Sequence, residues 1–226
     1  MKSWMLTIFL AAPLLANDVM TEAAERLESA ASVLTEAMST PDKSIPSDLI
    51  EKAHCAAVIP GLKKGAFIVG AKYGKGFLTC RKKGNAGWSA PAAIRVEGGS
   101  VGFQIGGAET DVILLVMNDR GSKRLLSSQF TLGGEGEVAA GPVGRSTSAQ
   151  TDAKMTAEIL SWSRSRGAFA GVSLQGATLR EDKDTNAGMY GVALSNGEIV
   201  MKQVAPPAAA SRLLSLLNKY SPREEK

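Results

Sequence analysis

The chain has 226 residues, 44% hydrophobic and 21% charged, with a formal net charge of +4. That length holds one large domain or two small ones, and the ordinary balance excludes a disordered or collagen-like chain. A single histidine and two cysteines leave no ligand set for zinc.

Residues 1–16 join Lys2 to an apolar stretch through Leu6, Phe9 and Ala12, then break from Pro13 to Ala16 before Asn17-Asp18. This pattern predicts a cleavable signal peptide, too short for a mature membrane anchor, so 17–226 is the expected mature domain. No cysteine follows the apolar run to suggest a lipobox, and a periplasmic or secreted location is expected. Leu14 is bulky for its place two before Ala16, which leaves the cleavage position open. Export puts Cys55 and Cys80 in an oxidising compartment, where a disulfide is expected; the alternative is two buried thiols.

Ala24, Leu27, Ala31, Leu34 and Met38 recur three and four apart, one stripe of a helix over 18–39 that Pro41 ends. Its other face carries Glu22, Glu25, Glu28 and Glu36 against Arg26, the wrong sign for insertion into an anionic bilayer, so it is expected to pack on the domain. A short helix over 48–53 leads into a strand at 55–59 that Pro60-Gly61 is expected to stop. Ala66 to Tyr73 and Phe77 to Lys82 read as a hairpin turning at Gly74-Lys75 or Lys75-Gly76. Its alternation puts Phe67, Val69, Ala71, Tyr73, Leu78 and Cys80 on a core face. Ile68, Gly70, Lys72, Phe77, Thr79, Arg81 and Lys83 fall on the other.

Gly98 to Ile105 reads as a strand. Asp111 to Met117, apolar on both faces from Val112 onward, reads as a central strand covered on two sides. A short helix at 122–128, Gly-rich strand material at 132–140, and a second hairpin of 158–162 with 168–174 follow. Pro206-Pro207 opens a last helix to residue 220, with Leu213, Leu214, Leu217 and Tyr220 inward and Arg212 and Lys219 outward. The expected fold is a single α+β domain: a curved, mainly antiparallel, Gly-rich sheet of about eight strands flanked by N- and C-terminal helices.

Between Glu51 and Glu97 there is no acidic residue, but Lys52, Lys63, Lys64, Lys72, Lys75, Arg81, Lys82, Lys83 and Arg95 all fall there. A basic sheet surface is expected, with Lys72, Arg81 and Lys83 as the leading anion contacts and Lys63, Lys64, Lys75 and Lys82 as supporting charge. Phe67, Tyr73, Phe77 and Trp88 are too sparse a set of platforms for nucleic acid. An anionic membrane suits the charge, since each Lys or Arg near it contributes about 1 kcal/mol. An envelope protein or acidic polymer is the other partner class.

Catalytic patterns are incomplete. Gly98-Gly99-Ser100-Val101-Gly102 spells a nucleophile elbow, but the only histidine, His54, precedes it and the following residues alternate as a strand. The segment Gly70 to Gly76 falls one residue short of a phosphate-binding loop and lacks its Ser or Thr. Asp182 to Gly188 imitates a calcium loop with Gly one place late and Ala193 where Glu belongs, so it reads as a solvated turn. His54 reads as a packed or capping residue. Glu109 and Asp111, the one close central carboxylate pair, are expected at a turn. No metal, cofactor or enzymatic activity is expected.

The ordered glycines carry one resemblance. Gly70-x-x-Tyr73-Gly74-x-Gly76, Trp88-Ser-Ala-Pro91, Gly98-Gly99-Ser100-x-Gly102-x-Gln104-x-Gly106, Asp111 before the apolar strand, Ala140-Gly141-Pro142-x-Gly144, Ser163 to Gly171, and Asn186 to Tyr190-Gly191 together resemble the SYLF-domain family over about 20–202. The resemblance implies a lipid- or membrane-binding module of the exported bacterial kind, not a catalyst. Glycine inside strands marks bends, bulges or close backbone approach, and either curvature or a headgroup cradle would use it.

Overall fold

The computed structural model describes residues 12–39, 44–66, 69–82, 87–101, 106–132, 138–141, 157–165, 168–171, 174, 176–202 and 204–221. Helix α1 (Ala12–Ser39) begins inside the expected leader and crosses its boundary. Ala23, Leu27, Ala30, Leu34 and Ala37 form its buried stripe, with Ala31 and Val33 beside it, so the helix packs on the domain as expected. Its outer carboxylates also tie it down: Glu28 pairs with Arg212 and Glu36 with Arg164. Helix α2 (Ser47–Lys52) buries Leu49 and Ile50.

Strand β1 (Cys55–Ala66) does not stop at Pro60-Gly61 but bulges there. The register shifts between Val58 and Lys63 against β2 and between Ile59 and Leu62 against β4. Proline is tolerated because a bulge needs no ladder donor from it. Gly61 takes φ +59°, and its N–H donates to Asp111 Oδ1 at 2.9 Å.

The expected turn at 74–76 is likewise absent. Strand β2 (Val69–Cys80) runs straight through it and pairs with β1 as far as Ala66 opposite Gly70. Gly74 and Gly76 make room for the bulge: a Cβ on Gly74 would lie 2.8 Å from Leu62 Cδ1, and one on Gly76 would enter the backbone of β1. These glycines mark close approach between strands rather than a reversal.

Strands β3 (Ala92–Val101) and β4 (Gly106–Val116) precede helix α3 (Asp119–Leu125), whose first turn is capped by Asn118 accepting the Gly121 N–H at 2.8 Å. Then come β5 (Gln129–Thr131), β6 (Val138–Ala140), β7 (Ile159–Ser165), β8 (Ala168–Gly171) and β9 (Ala177–Glu181). Among the described residues these form one sheet, ordered β5-β9-β3-β2-β1-β4-β7-β6 with β8 also on β7. The β6–β7 pair is parallel and the others antiparallel. The class is α+β, as expected, and β4 is the central strand that its apolar run demands.

Both sheet faces are covered. Val58, Phe77, Ile113, Leu115 and Trp162 pack under α1, α2 and the last helix. Ile59, Leu78, Ile94, Val112, Leu114 and Leu179 pack on the reverse with Leu125, Ile199 and Val200. Helices α4 (Lys183–Tyr190) and α5 (Asn196–Met201) come next. A 3-10 turn (Ala208–Ala210) leads into α6 (Ser211–Tyr220), which buries Leu213 and Leu217. Cys55 and Cys80, register partners on β1 and β2, are joined as a disulfide.

The segment read as a solvated turn is a buried helix start. Asp182 caps α4, accepting the Thr185 hydroxyl at 2.8 Å. Asn186, fully buried, accepts the Ala93 N–H at 2.7 Å and donates to Asn196 Oδ1 at 2.8 Å. Its polar groups are satisfied by distant parts of the chain, so local sequence alone suggests exposure.

Candidate anion-binding surface

An unbroken β2 redistributes the cations. Lys72, Gly74, Gly76, Leu78 and Cys80 share one face, while Tyr73, Lys75, Phe77, Thr79 and Arg81 share the other. Lys72 therefore does not flank Phe77, which is core at 1% exposure, and Tyr73, expected inside, is 47% exposed. The expected face assignment fails because the sheet has no reversal at 74–76 to reset the alternation.

Lys64 and Lys72 converge. They oppose each other across β1 and β2, beyond the bulge, with Ala108 and Gly98 as their outer neighbours in register. Burial and then the Lys72 charge hold the Lys64 ammonium below the usual lysine value. Neither ammonium has a carboxylate partner among the described residues. Like charges directly opposite on a sheet are unfavourable, so the pair costs stability where it stands. Lys63 is exposed on the other face, between Tyr73 and Glu109 in register.

The remaining expected cations have other work. Arg81 lies 4.3 Å over the Trp88 ring and donates to the Ser221 carbonyl at 2.9 Å. Trp88 Nε1 donates to Ser221 Oγ at 3.1 Å, so this stack fastens the end of α6. Lys75 pairs with buried Asp182 at 3.0 Å. Burial opposes the Asp182 charge, but Lys75 and Thr185 outweigh it and hold the carboxyl below its usual range. Lys82 is half-buried, its backbone N–H bonded to the Gly87 carbonyl at 3.1 Å. Lys83 lies outside the described residues.

Other residues singled out in the sequence take structural positions. His54 Nδ1 sits 2.9 Å from Asp119 Oδ1, and the His54 backbone N–H donates to the Val116 carbonyl at 2.7 Å. Ser100 lies in β3 opposite Gly70. Glu109 and Asp111 stand within β4, not at a turn.

Asp111 also pairs with Arg164, and both carboxylates open onto a cleft of 520 Å³ between α1 and the bulge. Glu22, Glu25, Glu28 and Glu36 line its opposite wall against Arg26 and Arg164. The acidic face of α1 was legible in the sequence; its meeting with Glu109 and Asp111 was not, because a bulge brings them together.

The family described as "Ysc84: Las17-binding protein actin regulator" matches residues 97–220. The human "SH3 domain-containing YSC84-like protein 1" is 33% identical over 215 residues, covering 92% of this chain and 62% of the human one. The rat protein of the same name is 34% identical over the same length, covering 92% and 63%. In Saccharomyces cerevisiae, "LAS seventeen-binding protein 3" is 34% identical over 180 residues, covering 78% and 39%. This chain thus spans less than two thirds of the length of these relatives. The glycine order, the sheet it builds and these matches agree: the chain belongs to the Ysc84 (SYLF) domain family.

Proposed function

We propose that this chain is an exported, non-catalytic domain that binds anionic, phosphate-bearing lipid headgroups through the Lys64–Lys72 pair, with Lys63 as neighbouring charge. The observation that carries the reading is the opposed pair itself, two half-buried ammoniums in register without a carboxylate to offset them among the described residues. Export is supported by the leader pattern of residues 1–16 and by the Cys55–Cys80 disulfide, which persists in oxidising compartments.

Pelleting with phosphatidylglycerol/phosphatidylcholine vesicles tests it. The parent should bind at low salt, weaken at high salt and ignore pure phosphatidylcholine. Lys64→Glu with Lys72→Glu should abolish binding while the fold persists. Equal binding by parent and folded double variant overturns the assignment.

A second reading is a protein-interaction module. The names of the matched family and of the yeast relative specify protein binding, and the acidic cleft under α1 offers a surface for a basic partner. Such a partner would lose affinity when Glu25 and Glu109 become Gln, changes that leave the lysine pair intact.

A further inference from the structure

A different group of cations lies across β2, β3 and β9, on the face shared by Tyr73 and Phe77. Lys75, Arg95 and Arg180 are direct register partners, three like charges in one row. Such a row is unfavourable unless something intervenes. Lys75 is drawn off to Asp182. Arg95 and Arg180 are held side by side by one residue, Glu97, whose two oxygens lie 2.9 Å and 3.1 Å from their respective Nε atoms. Those contacts are ion pairs without hydrogen-bond geometry, since both Nε–H groups are buried and lack an aligned acceptor. No protein acceptor engages the terminal guanidinium nitrogens of either arginine among the described residues. The result is a fixed two-arginine fork with unused donors.

The fork borders a cleft of 390 Å³ that also takes in Ser128, Gln129 and Lys183. Glu181 turns one oxygen away, accepting the Asn196 N–H at 2.9 Å. That volume is near the lower end of ligand pockets, and paired guanidiniums match the oxygens of a phosphate group. Asp184, on the same lining, would repel an extended anionic surface but leave room for a small ion.

We propose that the Arg95–Arg180 fork, completed by Lys183, is a binding site for a small soluble phosphomonoester, separate from the lysine pair and independent of the lipid reading. The same phosphate chemistry occurs on a lipid, so both sources are tested on the full chain. Amide chemical-shift titration with glycerol 3-phosphate and with inorganic phosphate should give saturable shifts centred on residues 95, 180 and 183. Arg180→Gln should weaken binding at least tenfold. Lys183→Gln, an exposed change that spares the fold, should weaken it severalfold. Lys64→Glu with Lys72→Glu should leave it unchanged. No saturable shift, or saturation that survives both Arg180→Gln and Lys183→Gln, overturns the proposal. Phosphatidic acid vesicles that bind through Arg180 while soluble esters do not would overturn the soluble source.

Discussion

Gly76 of β2 sits so close to Val58 of β1 that a Cβ added to it would lie 2.2 Å from the Val58 carbonyl oxygen and 2.8 Å from Ile59 Cα. Both atoms are backbone of β1, so neither can swing away. Gly76→Ala should cost about 3 kcal/mol or more, as overpacking against a rigid neighbour does. Gly197 is the control: in α5, with nothing within 4 Å of its added Cβ. Gly197→Ala should stabilise by about 0.4–1 kcal/mol. Urea denaturation of both variants checks the contrast, and equal effects would remove the close-approach explanation.

The lysine pair should trade stability against binding. Replacing Lys64 by Thr removes a cross-strand repulsion and should raise stability by about 0.5 kcal/mol. The same change should reduce vesicle binding. A loss of both properties would show that Lys64 is held by attractive contacts instead.

Asp182 gives a pH signature. Its folded pKa lies below the ordinary value, so its contribution is full at neutral pH and declines as pH falls through the folded pKa. Asp182→Asn should cost about 2–4 kcal/mol near neutrality through the lost Lys75 pair and cap. Parent and variant should then converge between about pH 5 and pH 2. A pH-independent gap, measured by denaturation at several pH values, would assign the residue a purely steric role.

The disulfide is checked by mass spectrometry without reduction on acid-quenched protein from its native compartment, where the intact bond is expected. Cys55→Ala with Cys80→Ala should lower stability by about 3 kcal/mol on the chain-entropy estimate for this loop. Two alkylatable thiols in the quenched protein would remove the bridge.

Strong local patterns were legible. The alternating threes and fours of α1, the doubly apolar run of β4 and the Pro-Pro start before α6 each state their own burial. The 74–76 segment misleads because glycine serves both a reversal and a close approach, and only the β1 bulge decides between them. Helix α4 escapes notice because Asn186 and Asn196 are polar in sequence but satisfied by each other and by Ala93. The charge run from Lys52 to Arg95 contains Lys64 and Lys72 but does not show that they oppose each other. It cannot show that Arg81 is spent on Trp88 and Ser221, nor that Arg180 arrives beside Arg95, because strand order is a long-range property.

The layer over Phe77 and Trp162 is made from both ends of the chain, with α1 against α6 and Glu28 reaching Arg212. A nascent or translocating chain delivers α1 first and α6 last. Until Leu213 and Leu217 emerge, the outer face of the sheet has only part of its cover, and long-range pairing of this kind is slow and exposed to aggregation. Completion of the fold is thus coupled to release of the C-terminal segment. A chain truncated before Ser211 should remain bound to holdase chaperones rather than collapse into a smaller stable core.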